Sequence, residues 1–249
     1  PWGEVWSQMT APSIPSQESV PTYWYYAIAL FGAAMTPYEV FFFSSGGIEE
    51  GWRRMDLARE RWNVLVGFPL GGLGSIAIAG VAALYLMPAD ITVESLSQVV
   101  LPVVQAGGQL ALAFVIIGLV AATTGAALET ALSTGYTIAQ YAGWPWGAAK
   151  KPFQAARFHL VIIVFLLGGV LILLTGVDPI MVTEYSVVFS AVALPLTYLP
   201  ILVVANDREY MGDKVNGRVM NFFGTIYLVI IVVASVAAIP LLIVTGAGR

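Results

Sequence analysis

The 249-residue chain is 58% hydrophobic and only 10% charged, with a formal net charge of −4 and a mean hydropathy of +0.82. A soluble domain carries about 25% charged residues, so this composition excludes a water-soluble globule and places the chain in a bilayer. There is no cysteine and a single histidine, His159, which excludes disulfides, thiolate metal sites and a histidine-cluster metal centre.

Residues 1–22 contain four prolines and no long apolar run. They lack the basic head and short apolar core of a signal peptide and read as a polar extracellular or periplasmic loop. Crossing a hydrocarbon core of ~30 Å takes about 20 apolar residues in a helix. Six stretches qualify, at 23–45, 64–86, 108–141, 158–175, 182–205 and 219–244. The first is interrupted at Thr36-Pro37, because proline has no N–H and clashes with the preceding turn. The second is rich in glycine (Gly67, Gly71, Gly72, Gly74, Gly80), which predicts close helix–helix approach. The third is too long for one perpendicular crossing and is expected to tilt or to run past the headgroups. Trp144-Pro145-Trp146 follows it and reads as a headgroup anchor. Pro195 and Pro200 predict a kink in the fifth. Asn206-Asp207-Arg208-Glu209 reads as a polar helix terminus.

The cations set the orientation. Ten of the eleven lysines and arginines fall in three loops: Arg53, Arg54, Arg59 and Arg61 after the first span, Lys150, Lys151 and Arg157 after the third, and Arg208, Lys214 and Arg218 after the fifth. Loops 87–107 and 176–181 have none. Positive residues stay on the cytoplasmic side, so loops 46–63, 142–157 and 206–218 are expected to be cytoplasmic and both ends of the chain outside. An even number of spans with both ends outside is unusual for a whole protein. The expectation is a C-terminal piece of a longer protein whose N-terminal part has an odd number of spans.

Three glutamates fall within or beside the spans. Glu39 lies two residues after Pro37, at a depth where an ionisable group costs ~3 kcal/mol or more on insertion scales. A broken helix beside a buried carboxylate offers fixed oxygen dipoles and one negative charge, which is what a cation site needs. Glu129 follows the small, hydroxylic run Thr123-Thr124-Gly125-Ala126-Ala127, suited to a packed face or a lined path. Glu184 sits near the outer start of the fifth span, within reach of water. The alternative for each is an interhelical hydrogen bond worth ~0.6 kcal/mol. No Walker or dinucleotide fingerprint is present, no nucleophile–base pair points to an enzyme, no bound cofactor is implied, and no nucleic-acid partner is expected.

The run Gly32-Ala33-Ala34-Met35-Thr36-Pro37-Tyr38-Glu39-Val40-Phe41-Phe42-Phe43-Ser44-Ser45 resembles the sixth helix of the NRAMP (natural resistance-associated macrophage protein) family of divalent-metal transporters. Gly135-Tyr136-Thr137-Ile138-Ala139-Gln140, Ala193-Leu194-Pro195-Leu196-Thr197-Tyr198-Leu199-Pro200 and Asp207-Arg208-Glu209-Tyr210-Met211-Gly212 resemble its eighth helix, tenth helix and following inner loop, in the same order. The resemblance covers nearly the whole chain. It implies an all-α membrane protein of six transmembrane helices, the second half of a LeuT-type inverted-repeat transporter, with the first helix broken near Thr36-Pro37. It implies that the missing N-terminal half, the lipid bilayer and a divalent metal ion substrate are the partners, and that the membrane is the bacterial cytoplasmic (inner) one.

The departures from the family narrow the ion. Thr36 replaces its metal-binding methionine, Tyr38 a motif histidine, Phe43 a second histidine and Glu39 an asparagine; Glu129 aligns loosely with a glutamine. A thioether favours soft or borderline ions, whereas a hydroxyl with added carboxylates favours hard ions with oxygen shells. Magnesium often keeps part of its water shell. The pattern is closest to the NRAMP-related magnesium transporter branch, with a manganese-carrying bacterial branch as the neighbouring reading. The loss of both histidines weakens the usual route to proton coupling. The resemblance implies that the Ala33 carbonyl faces the ion, that Thr36 occupies the thioether's place, that Tyr38 and Glu39 hold water or the ion, and that Glu129 lines the same cavity. Two other functions remain open at this point: an amino-acid or amine transporter of the same architecture, disfavoured because Glu39 would repel a substrate carboxylate, and a non-transporting membrane scaffold subunit.

Overall fold

The computed structural model describes residues 19–86 and 100–247 continuously, together with residues 3, 6, 7, 10, 11, 13, 14, 91, 93 and 98. The described residues are helical, with no strand. The helices are α1 (Val20–Ala34), α2 (Pro37–Glu49), α3 (Leu57–Trp62), α4 (Phe68–Tyr85), α5 (Leu101–Tyr141), α6 (Ala156–Leu174), α7 (Pro179–Ala205), α8 (Arg208–Met211) and α9 (Arg218–Val244). Six helical stretches are long and apolar enough to cross a membrane: Val20–Glu49, Arg54–Tyr85, Gly107–Tyr141, Ala156–Leu174, Pro179–Ala205 and Arg218–Val244. About half of the leading loop expected at 1–22 and of the loop expected at 87–107 lies outside the described residues, and the chain is already helical from Val20 and from Leu101. The chain forms two compact units, Pro1–Pro37 with Met181–Arg249, and Tyr38–Ile180.

The first unit packs α1, α7 and α9 around Tyr25, Val188, Ala238 and Ala247. Ser19 caps α1, its side chain accepting from the Thr22 N–H at 3.2 Å. Gly32 lets α1 and α7 touch: a Cβ there would sit 2.4 Å from the Val187 carbonyl oxygen and 3.0 Å from the Ala191 methyl. Ser235 on α9 donates to the Val192 carbonyl of α7 at 3.0 Å, the kind of interhelical bond that replaces water inside a bilayer. α7 stays helical through Pro195 and Pro200, whose missing N–H groups leave the Ala191 and Leu196 carbonyls without their usual helical donors.

The second unit is centred on α5 and α6, with Tyr136, Ala139, Ala155 and Phe158 buried between them. Gly135 makes that contact possible, since a Cβ would press within 3.0 Å of Phe158 and Ile162. The third crossing helix begins at Gly108, which takes φ 66°, ψ −157°, a conformation open only to glycine; residues 101–107 form a separate short helical segment, and the run on to Tyr141 keeps the length expected from the sequence.

The glycines of the second span allow close approach without meeting a partner among the described residues: Gly67, Gly71, Gly72, Gly74 and Gly80 have no atom within 4 Å of a Cβ built on them, and α4 buries no residue. Small side chains permit close approach but do not supply a partner. Trp144 and Trp146 are more than headgroup anchors, because both pack against the α5–α6 cluster. Trp146 meets Tyr136 edge-on at 5.6 Å, and the Arg157 guanidinium lies 5.2 Å from the Trp144 ring, a cation–π distance.

The contrast between Gly32 and Gly72 gives a direct test. Replacing a helical glycine by alanine gains about 1 kcal/mol of helix propensity, whereas forcing a methyl into a filled contact costs about 1–3 kcal/mol. Gly32→Ala is expected to lower the thermal unfolding midpoint of the detergent-solubilised protein, and Gly72→Ala to hold or raise it. Fluorescence-detected melting of the two variants measures the difference.

Candidate metal-ion site

The site begins as a backbone problem. α1 ends at Ala34, Met35 turns to φ −140°, ψ 83°, and α2 starts at Pro37. Proline suits the first position of a helix, where its missing N–H is not needed, and it pushes the residue before it out of helical geometry. The consequence falls on α1. The donor that would have closed its last turn onto the Ala33 carbonyl is the Pro37 nitrogen, which has no hydrogen. The Met35 N–H bonds to the Gly32 carbonyl at 3.4 Å, so Gly32 is served, while the Ala33 carbonyl loses its usual helical donor to Pro37.

Thr36 lies in the gap. Its hydroxyl oxygen is buried and has no hydrogen-bond partner, a condition that costs about 1–3 kcal/mol for a polar group. Met35 beside it is engaged: its sulfur accepts a hydrogen bond from the Tyr227 hydroxyl. Tyr227 stands edge-on to Tyr198, with ring centroids 5.0 Å apart, and 6.4 Å from Phe31. The thioether of the break is therefore tied to an aromatic cluster, while the hydroxyl and the Ala33 carbonyl are left over.

Tyr38, Glu39 and Glu129 belong to the other unit. Glu39 occupies the first turn of α2, the positive end of the helix dipole, where a carboxylate is favoured. It is half-buried. The one ion pair among the described residues joins Arg59 and Asp56 at 3.9 Å, so neither Glu39 nor Glu129 is neutralised by a cation. The Tyr38 carbonyl accepts from Ser133 Oγ at 2.9 Å, and the buried Ser45 hydroxyl accepts from Gln140 Nε2 at 2.8 Å. Both pairs are separated by 95 residues, so α2 and α5 run parallel and in register. Glu129 is four residues before Ser133, one turn earlier on the same face. In that register it lies about one helical turn short of Pro37, where α2 starts. Glu184, half-buried near the start of α7, forms no ion pair among the described residues either.

Thus Ala33 and Thr36 fall in one unit and Tyr38, Glu39 and Glu129 in the other. Among the described residues no group of three or more histidine, aspartate or glutamate side chains is placed to hold a metal. His159 is occupied, with Nδ1 2.9 Å from the Ala155 carbonyl oxygen. Each unit offers oxygen donors of its own: the unpartnered Thr36 hydroxyl in the first, and in the second the Glu39 and Glu129 carboxylates, which form no ion pair among the described residues. Such a set suits a hard cation that keeps part of its water.

Sequence reasoning passed over the carboxylate with the most partners. Glu49, at the C-terminal end of α2, accepts from the Tyr136 hydroxyl at 2.6 Å and from the backbone N–H groups of Ala148 at 2.9 Å and Ala149 at 2.6 Å. The available signal lay on α5, where Glu129, Ser133, Tyr136 and Gln140 recur at steps of four, three and four, the spacing of a single helix face.

No solved structure matches the chain. The sequence profile described as natural resistance-associated macrophage protein-like matches residues 1–240. Together with six membrane-crossing helices and a first span broken at Thr36-Pro37, this match shows that the chain belongs to the Nramp family, integral membrane proteins that transport divalent metal ions and are not enzymes.

Proposed function

We propose that the chain is the C-terminal half, helices six to eleven, of an Nramp-type transporter that moves a hard dication, magnesium or manganese, across a bacterial cytoplasmic membrane. The observation that carries this reading is the buried, unpartnered Thr36 hydroxyl beside a carbonyl whose helical donor is a proline. Buried polar atoms without partners are rare and call for a ligand or water. In this reading the Ala33 carbonyl and the Thr36 hydroxyl touch the ion. Tyr38, Glu39 and Glu129 hold its remaining water. The principal carboxylate ligand comes from the family's first helix, in the N-terminal half. Loops 46–63, 142–157 and 206–218 face the cytoplasm, following their cations.

The chemistry at Thr36 sets the ion. An oxygen there does not reward a polarisable metal as a sulfur does. Thr36→Met in the full transporter is therefore expected to shift the ratio of cadmium to magnesium uptake toward cadmium by about tenfold, equivalent to ~1.4 kcal/mol. Proteoliposome uptake of the two ions in competition measures that ratio, and an unchanged ratio refutes the assignment of Thr36.

Glu39 and Glu184 separate a site carboxylate from a peripheral one. Neutralising Glu39 by Glu39→Gln is expected to alter uptake or ion preference by about tenfold, while Glu184→Gln leaves both close to wild type. Equal effects of the two variants in a flux assay refute the site. A pH-sensitive dye inside the same liposomes reports whether protons move with the ion.

A further inference from the structure

We propose that Glu49 is a positioning residue that clamps the inner end of α2 to α5 and to the loop after it, so that the two parallel helices move as one rigid body during transport. The part of this proposal that concerns transport rests on the reading given under Proposed function; the clamp itself does not.

Helix-end chemistry makes Glu49 anomalous. The C-terminal end of a helix carries partial negative charge and favours cations. α2 ends instead on Glu49 and is followed by Glu50, with no basic residue in its last turn. Each carboxylate is compensated from outside the helix. Glu50 accepts from Trp52 Nε1 at 2.7 Å. Glu49 takes three donors, the Tyr136 hydroxyl at 2.6 Å, the Ala148 N–H at 2.9 Å and the Ala149 N–H at 2.6 Å. Bonds to an ionised acceptor are about twice as strong as neutral ones.

The loop is shaped for that carboxylate. Gly147 has φ +136°, and a Cβ there would lie 3.1 Å from Glu49 Oε1. Glycine therefore supplies both the backbone conformation and the room, after which two consecutive N–H groups point at one carboxylate. Successive backbone N–H groups in such a turn form an anion-binding concavity, here filled by a side chain of the same protein. Tyr136 meanwhile belongs to the buried α5–α6 cluster, so Glu49 ties α2 to the best-packed part of its unit.

The clamp is one of three ties from a single face of α5. Ser133 holds the Tyr38 carbonyl and Gln140 holds Ser45. Because the upper part of α2 is held by those two independently, loss of Glu49 frees only the inner end. Ion affinity is therefore expected to persist while turnover falls.

The test uses the full transporter in proteoliposomes, with manganese and magnesium as the ions. Glu49→Gln is expected to lower maximal flux per folded molecule by about tenfold, with the half-saturating ion concentration unchanged within about twofold. Tyr136→Phe, which removes one hydroxyl, gives a smaller change in the same direction and stands in if Glu49→Gln does not fold. A second readout does not depend on flux. This chain has no cysteine, so Ala155→Cys, 2% exposed beside Phe158, and Ala191→Cys, 0% exposed in the other unit, report local opening. Glu49→Gln is expected to speed maleimide labelling at position 155 and not at 191. Equal labelling at 155 in both backgrounds, a parallel rise at 191, unchanged flux, or a shift in half-saturation larger than the loss of flux each overturns the proposal. Wild-type protein that moves neither ion, with labelling as expected, leaves the clamp standing and removes the transport reading.

Discussion

A backbone carbonyl inside a bilayer must find a donor, because no water is there to supply one. Pro37 withholds that donor at the end of α1. Its nitrogen cannot serve the Ala33 carbonyl, and it bends Thr36 out of the helix. The remainder of the site follows from this local deficit. α1 stops, α2 restarts two residues later, Glu39 is put into a first helical turn, and the Thr36 hydroxyl is buried with nothing to bond. The break persists because its flanks are fixed separately. On the Met35 side, Tyr227 and the rings around it take up the thioether. On the Tyr38 side, Ser133 donates to the Tyr38 carbonyl in the first turn of α2.

The face of α5 that carries Ser133, Tyr136 and Gln140 does more than satisfy individual groups. Its bonds repeat in register, so α2 can neither slide nor rotate against α5 without losing several at once. Elements that present ion ligands need this restraint, since small displacements of a ligand degrade a site. Glu129 lies on the same face, so the helix that holds α2 in place also delivers the second unpaired carboxylate. The position of one follows from the packing of the other.

Much of this was readable from the chain. Two residues, Thr36-Pro37, announce the break, and the apolar runs announce six crossings. Other features depend on distant neighbours and leave no local mark. Glu49 sits at a span end beside Glu50 and Arg53, where charge is ordinary, and its partners lie 87 to 100 residues away. The glycines of α4 promise close packing, but glycine records only permission and not the presence of a partner. Trp144 and Trp146 have the composition of interface anchors, and only the fold brings Tyr136 and Arg157 against them. The turn at Gly108 was signalled by the Gly107-Gly108 pair.

Thr36 and Glu39 also bear on why such a site would hold an ion without trapping it. An oxygen that folding has already stripped of partners offers a dication a ligand whose desolvation is complete, so preorganisation favours binding. A bare carboxylate in direct contact would bind far more tightly and oppose release. Glu39 is moderated by its place at the positive end of α2, where the helix dipole stabilises the anion even with no ion present. In the proposed reading, a tempered carboxylate acting through retained water would attract a strongly hydrated cation without removing its whole shell. Magnesium dehydrates reluctantly, and that balance suits it better than a thioether would.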